Sequence, residues 1–388
     1  MARSRIYLDW NATAPLLQEA RDAVMLALDS VGNPSSVHAE GRAARAMVEK
    51  ARRQVASLVG AQPAHVVFTG SATEAANLAL SPSYRMGRSP LTIGRLYVSA
   101  IEHPAVRLGG RFAAGQVSEI AVTPSGQIDL AALEAALAAH PDEDGLPMVA
   151  VMLANNETGI IQPVADVARR VRAKGGLLLV DAVQAVGRMP VNIAALDADF
   201  LILSGHKLGG PKGIGALVSR GETLMPQPLI RGGGQEKGHR GGTENLPGIV
   251  GLGAACEFAE KDLTERNFRI AALREKLEEG IRKAAPDVVI HGAGVDRIAN
   301  TSFFSLPGLK AETGQIAFDL EGIALSAGAA CSSGKVGQSH VLTAMGLDAA
   351  LGGLRLSIGA ATTEEEIGHA IEAFARIAAR RRVAGQAA

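Results

Sequence analysis

The 388-residue sequence predicts an α/β protein, with a large domain built on a mostly parallel sheet and a smaller α+β C-terminal domain. Short apolar runs of strand length alternate with longer amphipathic runs of helix length, which is typical of β-α repetition around a buried parallel sheet. This pattern changes near residue 260, where a long charged helical run begins. The length suits one large domain with a satellite, and we place the large domain at 16–260 and the small one at 1–15 and 261–388.

The individual elements follow from the same periodicity. Apolar runs predict strands at 65–68, 95–98, 148–153, 177–180, 200–203 and 216–218. Amphipathic runs between them predict helices at 41–58, 130–139 and 164–173. Beyond residue 260 we expect a charged helix at 268–284, a shorter strand-rich region, and a C-terminal helix at 363–382.

Composition excludes several classes of protein. Lys+Arg and Asp+Glu both total 39, and this zero net charge argues against a nucleic-acid partner. Neither a signal peptide nor a membrane span is visible, so we expect a soluble cytoplasmic protein that does not contact the membrane. Two cysteines exclude a disulfide framework and a multi-cysteine zinc site, and the histidines show no metal-ligand spacing, so no metal site is predicted. The basic run at 380–382 is interpreted as a solvated helix end rather than a binding patch.

A candidate anion site follows the first strand of the large domain. Gly70 permits a sharp turn there, and Ser71 with Glu74 forms the pattern of a capping box that opens a helix. The free N–H groups and positive dipole end of that helix favour a phosphate, and Thr73 adds a hydroxyl. An ordinary capped helix is the alternative interpretation.

Two further strands end in polar residues. Asp181 directly follows one apolar run, and Lys207 follows the next in Ser204-Gly-His206-Lys207. Ligands bind at the carboxyl edge of open α/β sheets, so an Asp, a Lys and a phosphate site at that edge match the needs of pyridoxal phosphate (PLP). Lys207 would form the Schiff base, and Asp181 would keep the pyridine nitrogen protonated. A helix cap for Asp181 and a surface position for Lys207 are the alternatives.

Two other segments are candidates for the same site. His103 comes just past a strand, where an imidazole suits stacking on a cofactor ring and proton transfer, although a hydrogen-bonded core histidine is the alternative. The Gly-rich polar loop at 231–244 is predicted to be either a plain surface loop or one that completes a site, in its own subunit or across a subunit boundary.

The two cysteines differ in their surroundings. Cys331 is flanked by Gly, Ala and Ser, which predicts an accessible thiol able to act as a nucleophile. Cys256 follows a helical pattern and is predicted to be a buried small hydrophobe. Arg355 stands among apolar residues and is predicted to bind a carboxylate, either that of a substrate or that of a structural ion pair.

Together these motifs resemble the cysteine desulfurases, the NifS/IscS group of class V aminotransferase-like PLP enzymes. The likeness covers nearly the whole chain. Its segments are Tyr7-Leu-Asp9, Ala12-Thr-Ala-Pro15, Gly32-Asn-Pro-Ser-Ser36-Val-His38, Asn155-Asn-Glu157-x-Gly159, Ser204-Gly-His-Lys207, Arg240-Gly-Gly-Thr243-Glu-Asn245 and the Cys331 segment.

The resemblance implies a fold and a set of roles. The fold would be PLP fold-type I, like that of aspartate aminotransferase, in a homodimer. Lys207 would carry the cofactor, Asp181 would face its ring nitrogen, and Gln184 would bond its phenolic oxygen. His103 would stack on the ring and serve as acid and base. The cofactor-binding set implied as a whole is Ala72, Thr73, Asn155, Asp181, Gln184, Ser204, His206, Lys207 and, from the partner subunit, Thr243.

The implied reaction is PLP-dependent removal of sulfur from L-cysteine. Arg355, with Asn155 nearby, would bind the substrate carboxylate, and Cys331 would attack the substrate sulfur. The products would be L-alanine and a persulfide on Cys331, passed to an acceptor for iron–sulfur cluster assembly, tRNA thiolation or molybdenum-cofactor sulfuration. A selenocysteine lyase or another class V aminotransferase is the main alternative, and a non-catalytic sulfur carrier is a further one.

The sequence departs from the resemblance at three places. Relatives commonly read Ser-Ser-Gly-Ser-Ala-Cys-Thr where this chain has Ser326-Ala-Gly-Ala-Ala-Cys331-Ser, and Leu-Glu-Pro-Ser where it has Val336-Gly-Gln-Ser339. The segment Gly359-Ala-Ala361 lacks the Arg often found after that Gly. The nucleophile is retained, and these departures bear on the choice of sulfur acceptor.

Overall fold

The computed structural model describes residues 5–328, 338–348 and 352–386. The strands are β1 (Ile6–Tyr7), β2 (Val66–Thr69), β3 (Ser83–Met86), β4 (Ser89–Ser99), β5 (Val117–Ile120), β6 (Leu146–Met152), β7 (Leu177–Asp181), β8 (Phe200–Ser204), β9 (Gly215–Ser219), β10 (Leu224–Pro226), β11 (Val289–Ile290), β12 (Thr301–Ser305), β13 (Ile323–Ala324), β14 (Ser326–Ala327) and β15 (Leu354–Ser357). The helices are α1 (Gln18–Asp29), α2 (Ala39–Leu58), α3 (Ala72–Ala79), α4 (Pro104–Arg107), α5 (Leu130–Ala138), α6 (Val164–Ala173), α7 (Leu246–Glu260), α8 (Leu263–Ala284), α9 (Ala311–Leu320), α10 (His340–Ala344) and α11 (Glu364–Gln386).

The large domain contains a nine-stranded sheet in the order β10-β3-β4-β6-β7-β8-β9-β2, with β5 also paired to β4. The central strands β5, β4, β6, β7 and β8 pair in parallel, and the remaining pairings are antiparallel. The carboxyl ends of β6, β7 and β8 therefore lie side by side. This confirms the α/β class and the central parallel sheet predicted from the sequence.

Both faces of this sheet are covered. In β6, β7 and β8, alternate side chains belong to two different apolar clusters, as the period of two along a strand requires. One cluster includes apolar residues of α2, α5, α6 and α7, and the other includes those of α3. Burial on both sides explains why these strands read as continuous apolar runs rather than as alternating ones.

A separate apolar cluster forms the core of the C-terminal region. It joins residues of α8, α9 and α11 to an antiparallel sheet in the order β11-β12-β15-β14. The N-terminal segment enters this core, since β1 pairs in parallel with β13 and both Ile6 and Leu8 belong to the cluster. Residues 5–13, which we call the arm, then run on towards the large domain. The domain limits at 15/16 and 260/261 stay a prediction.

The six predicted strands are confirmed, with limits that differ by a residue or two except in β4, which begins earlier, at Ser89. The sequence did not predict β3, β5 and β10, whose exposed or part-buried residues weaken the apolar pattern. Helix α8 begins at Leu263, before the predicted residue 268. None of the helices within the described residues has the length and apolar character that a bilayer crossing needs.

Candidate active site

A cavity of about 340 Å³ lies at the carboxyl ends of the parallel strands. Strands β6, β7 and β8, the turn before α4 and the start of α3 all contribute to its wall. Its lining residues are Ala12, Ser71, Ala72, Thr73, His103, Ala105, Met152, Ala154, Asn156, Asp181, Val183, Gln184, Ile202, Ser204, His206 and Lys207. The topology thus brings together groups that are far apart in the sequence, at the sheet edge where open α/β folds bind ligands.

Asp181 is the last residue of β7 and is almost fully buried. One carboxylate oxygen accepts the N–H of Val183 at 2.9 Å. Burial raises the pKa of Asp181 to about 6, while the Val183 N–H and the Lys207 cation act in the opposite direction. A buried carboxylate at the cavity wall favours a positively charged partner inside the cavity.

Lys207 ends the single helical turn Gly205–Lys207 that follows β8. Its ammonium donates hydrogen bonds to the carbonyl oxygens of Asn11 and Ala12, both at 2.7 Å. These neutral acceptors belong to the arm, so the arm holds the amine at the cavity wall.

His103 precedes α4 and caps it, since Nδ1 accepts the N–H of Ala105 at 3.1 Å. Burial, together with the charges of Lys207 and His340, lowers the pKa of His103 to about 4. The ring is therefore neutral at physiological pH, and because Nδ1 is an acceptor, the ring proton is on Nε2.

The turn before α3 matches the sequence prediction of a capping arrangement. Ser71 accepts the N–H of Glu74 at 3.1 Å, and the Glu74 carboxylate accepts the N–H of Gly70 at 2.7 Å. Gly215 of the neighbouring strand lets the turn approach, because a Cβ there would lie 2.6 Å from the Ser71 carbonyl carbon. Ala72 and Thr73, at the start of the helix, face the cavity.

Three further polar side chains close the wall. Ser204 ends β8 and is buried. The Nδ1 atom of His206 lies 3.1 Å from the Thr13 hydroxyl, and burial and the Lys207 charge lower the pKa of His206 to about 4. Gln184 donates from Nε2 to the Asn11 carbonyl at 3.1 Å.

Comparison with known proteins decides the family. The aminotransferase class-V family model matches residues 6–369. The chain belongs to the aminotransferase class-V family.

Its relatives within this class V family are similar over most of their length. A cysteine desulfurase from Trichormus azollae is 39% identical over 386 residues, which cover 98% of this chain and 94% of the relative. A cysteine desulfurase from Cereibacter sphaeroides is 40% identical over 376 residues, covering 95% and 94%. The structure of a NifS-like protein from Rickettsia africae ESF-5 superposes with a TM-score of 0.85 at 34% identity, covering 96% of this chain and 99% of that one. These similarities support the predicted fold, PLP fold-type I, for this chain.

Asn155, which the sequence predicted to contact the cofactor, does not line the cavity. The Asn155 amide oxygen accepts the N–H of Glu157 and of Thr158, both at 2.9 Å, so this side chain shapes the turn after β6. Its neighbour Asn156 lines the cavity instead, and the Asn156 Oδ1 atom is buried without a hydrogen-bond partner among the described residues. At the cavity wall the structure thus has Asn156 rather than Asn155, and a cofactor contact of Asn155 stays a prediction.

Arg355 lies in β15 and is only 2% exposed. Its guanidinium pairs with Asp9 at 2.8 Å and donates to the Asn156 carbonyl at 2.8 Å. The structural ion pair that the sequence left open as an alternative is thus present. Arg355 does not itself line the cavity, but it supports a residue that does.

Thr243 and the cysteines complete the predicted set. Thr243 is exposed and does not line the cavity of its own chain. Cys256 is fully buried in α7, and burial strongly raises the pKa of its thiol, as expected of a core residue. Cys331 lies outside the described residues.

Sequence reasoning missed the contact between the arm and Lys207. Asn11 and Ala12 touch Lys207, yet no charged or periodic pattern marks them, because they act through backbone carbonyls. Arg188, which bonds to Gln184, was also missed, although its spacing four residues after Gln184 in the chain was a usable signal.

Proposed function

We propose that the protein is a PLP-dependent cysteine desulfurase, which takes sulfur from L-cysteine, releases L-alanine and leaves a persulfide on Cys331. One observation carries the proposal: Asp181, Lys207 and His103 share a single cavity in a chain 39% identical to curated cysteine desulfurases. The persulfide is then passed to an acceptor protein.

The cavity fits PLP. Its volume of about 340 Å³ falls within the ordinary range for small-molecule sites. The buried Asn156 Oδ1 has no hydrogen-bond partner among the residues that the structure describes, so it could accept a hydrogen bond from a ligand. The N-terminus of α3, with Ala72 and Thr73, suits a phosphate, and Ser204 and His206 add polar groups nearby. When bound, PLP supplies an electron sink for the substrate carbons.

The chain's own residues would divide the work. Lys207 would carry the cofactor, and the Asp181 carboxylate would keep a proton on the ring nitrogen. Gln184 would donate a hydrogen bond to the ring oxygen. His103, neutral with its proton on Nε2, would contact the ring and move protons at the substrate.

The sulfur step balances without an added oxidant. The Cys331 thiolate attacks the sulfur of L-cysteine, so that an S–S bond forms and the substrate C–S bond breaks. The electron pair of the broken bond stays with the substrate carbon, which gains a proton and becomes the methyl group of alanine. Cys256 does not serve as this nucleophile, because it is buried and its raised pKa opposes thiolate formation.

Arg355 would bind the substrate carboxylate. Its guanidinium matches a carboxylate bidentately, and in the structure it already holds the carboxylate of Asp9. The substrate would therefore compete with Asp9 for this guanidinium, next to Asn156.

A second copy of the chain would complete the site. Thr243 is exposed, and helix α1 with the segment after it exposes the apolar side chains Met25, Leu26, Leu28, Val31 and Val37. Burial of these side chains in a homodimer would suit their character, with Thr243 reaching the partner's phosphate site. The cytoplasmic location belongs to the same proposal.

The test measures alanine and sulfide formed from L-cysteine, with PLP and a thiol reductant present. Cys331→Ala is expected to abolish turnover, while Cys256→Ala, the matched control, keeps it. Full turnover by Cys331→Ala would contradict the role of the thiol. Activity restricted to selenocysteine would favour the lyase alternative, and transfer of labelled persulfide sulfur to candidate acceptor proteins would identify the pathway.

A further inference from the structure

Arg188 lies behind the cavity, in the turn after β7, and bonds to three of the segments around it. Its guanidinium donates to the side-chain oxygen Oε1 of Gln184 and to the Gln184 carbonyl at 3.2 Å. It also donates to the Trp10 carbonyl at 3.4 Å and the Lys207 carbonyl at 3.3 Å. Within the described residues, no carboxylate forms an ion pair with it.

The contact with Gln184 has a chemical consequence. A guanidinium has only donors, whereas a primary amide has an acceptor oxygen at one end and a donor nitrogen at the other. Since Oε1 faces Arg188, Nε2 must point the opposite way, where it donates to the Asn11 carbonyl at 3.1 Å. That nitrogen carries a second hydrogen, and Gln184 lines the cavity.

The other two contacts fix the surroundings of the same amide. Trp10 immediately precedes Asn11, whose carbonyl accepts from both Gln184 and Lys207. Arg188 thereby ties the arm to the turn that carries Lys207. The Arg188 guanidinium thus contacts the Gln184 amide and also the arm, whose Asn11 carbonyl accepts a hydrogen bond from that amide.

The charge of Arg188 persists across the neutral range. Burial and the nearby Arg355 cation lower the pKa of Arg188, to about 9. A group with that pKa is still protonated at pH 7, so its N–H groups remain donors.

We propose that Arg188 is a positioning residue that fixes the Gln184 amide with its N–H towards the ring oxygen of the cofactor. The proposal rests on PLP occupying the cavity. Arg188 touches neither substrate nor cofactor and acts through Gln184.

The experiment follows the visible absorption of the PLP-loaded full-length protein as a function of pH. A donor to the ring oxygen stabilises the more negative form of the bound cofactor, so loss of this donor moves the midpoint of the pH titration upward. For Arg188→Met we expect a shift of about half a unit to one unit, the effect of one hydrogen bond. Arg188→Lys, which keeps the charge but lacks the planar fork, is expected to shift the midpoint in the same direction.

A double-mutant cycle separates positioning from a general structural effect. Gln184→Leu alone should raise the midpoint, and Arg188→Met added to Gln184→Leu should raise it no further. Arg170→Met is the matched control, because Arg170 is a part-buried arginine of α6 away from the cavity, and its titration should match the parent.

Two different failures are distinguishable. A parent protein that gains no visible band on addition of PLP contradicts the proposed function. A parent with a normal band, together with unchanged midpoints in both Arg188 variants or with fully additive shifts in the cycle, overturns the role of Arg188 alone.

Discussion

The buried position of Asp181 disfavours the ionised form of its carboxylate. Burial raises its pKa to about 6, although the Val183 N–H and the Lys207 charge act to lower it. A bound group with a positive nitrogen would restore the preference for the ionised form. The energetic cost of burying this carboxylate would therefore be offset by the ligand that binds in the cavity.

Replacing Asp181 tests that interpretation. In Asp181→Asn the shape is nearly unchanged but the charge is lost, and we expect kcat for L-cysteine to fall by roughly 100-fold, equivalent to about 3 kcal/mol of transition-state stabilisation. Steady-state alanine formation at pH 7.5 is the measurement. Asp142→Asn, at an exposed position of the same domain, is the control and should behave as the parent. An Asp181→Asn enzyme with near-parent kcat would refute the proposed role.

His103 gives a pH prediction with a definite sign. Its folded pKa of about 4 lies below the unfolded value of about 6.5, so its contribution to stability is present above pH 6.5 and is lost as the pH falls towards 4. His103→Asn keeps a capping side chain but cannot titrate. The stability advantage of the parent over this variant should shrink by about 3 kcal/mol between pH 7 and pH 4.

Denaturant unfolding at several pH values measures this difference, and kcat of the same variant is expected to drop about 100-fold through loss of the acid/base group. A stability difference that stays constant with pH would show that the ring is not buried in its neutral form.

At the scale of elements, the Gly-rich loop that carries Thr243 is anchored at one buried point. Glu236 accepts both terminal nitrogens of Arg52 in α2, at 2.8 and 2.9 Å, and the N–H of Phe68 in β2, at 2.9 Å. Glu236 and Lys237 both adopt positive φ, 47° and 55°, so the backbone is strained where the anchor is made. The loop is thus held at a fixed position beside β2, the strand that leads into the turn before α3.

Arg52 offers a matched pair of variants, because it also contacts the more exposed Glu49 at 3.2 Å. Glu236→Gln leaves a buried cation without its counter-charge and should reduce the free energy of unfolding by about 3–5 kcal/mol. Glu49→Gln removes an exposed ion pair and should cost less than about 1 kcal/mol. Equal losses in the two variants, measured by denaturant unfolding, would contradict the anchor.

The elements also differ in how well the sequence predicts them. The strands, the turn before α3 and the positions of Asp181 and Lys207 follow from local patterns, since apolar runs and capping residues act within a few positions. The choice between Asn155 and Asn156 does not, because it depends on the backbone angles of one turn. Strands β3 and β10 were missed because they are stabilised by pairing with each other and with β4 rather than by an apolar pattern of their own.

At the scale of the whole molecule, the arm connects the two cores. Leu8 is fully buried in the C-terminal core, while Asn11 and Ala12, a few residues later, hold the amine of Lys207. Asn11 and Ala12 lie 196 and 195 positions from Lys207 in the chain, so no local sequence pattern predicts the contact.

A pair of core variants tests the connection. Leu8→Ala and Leu273→Ala each remove a leucine from the same C-terminal core and should each cost about 2–4 kcal/mol of stability. Only Leu8 lies in the arm, so only Leu8→Ala is expected to weaken PLP retention as well, by several-fold in Kd. Fluorescence titration with PLP measures this, and a parallel loss in both variants would show that the arm has no special role.

The hold of the arm on Lys207 also implies a two-way thermodynamic coupling. The amine must leave the carbonyls of Asn11 and Ala12 before it can form a bond elsewhere, so the free energy of that bond is reduced by the free energy of the two hydrogen bonds it replaces. By reciprocity, occupancy of the cavity changes the stability of the pairing between β1 and the C-terminal core. Amide hydrogen exchange at Ile6 and Leu8, whose N–H groups make that pairing, would therefore respond to cofactor binding.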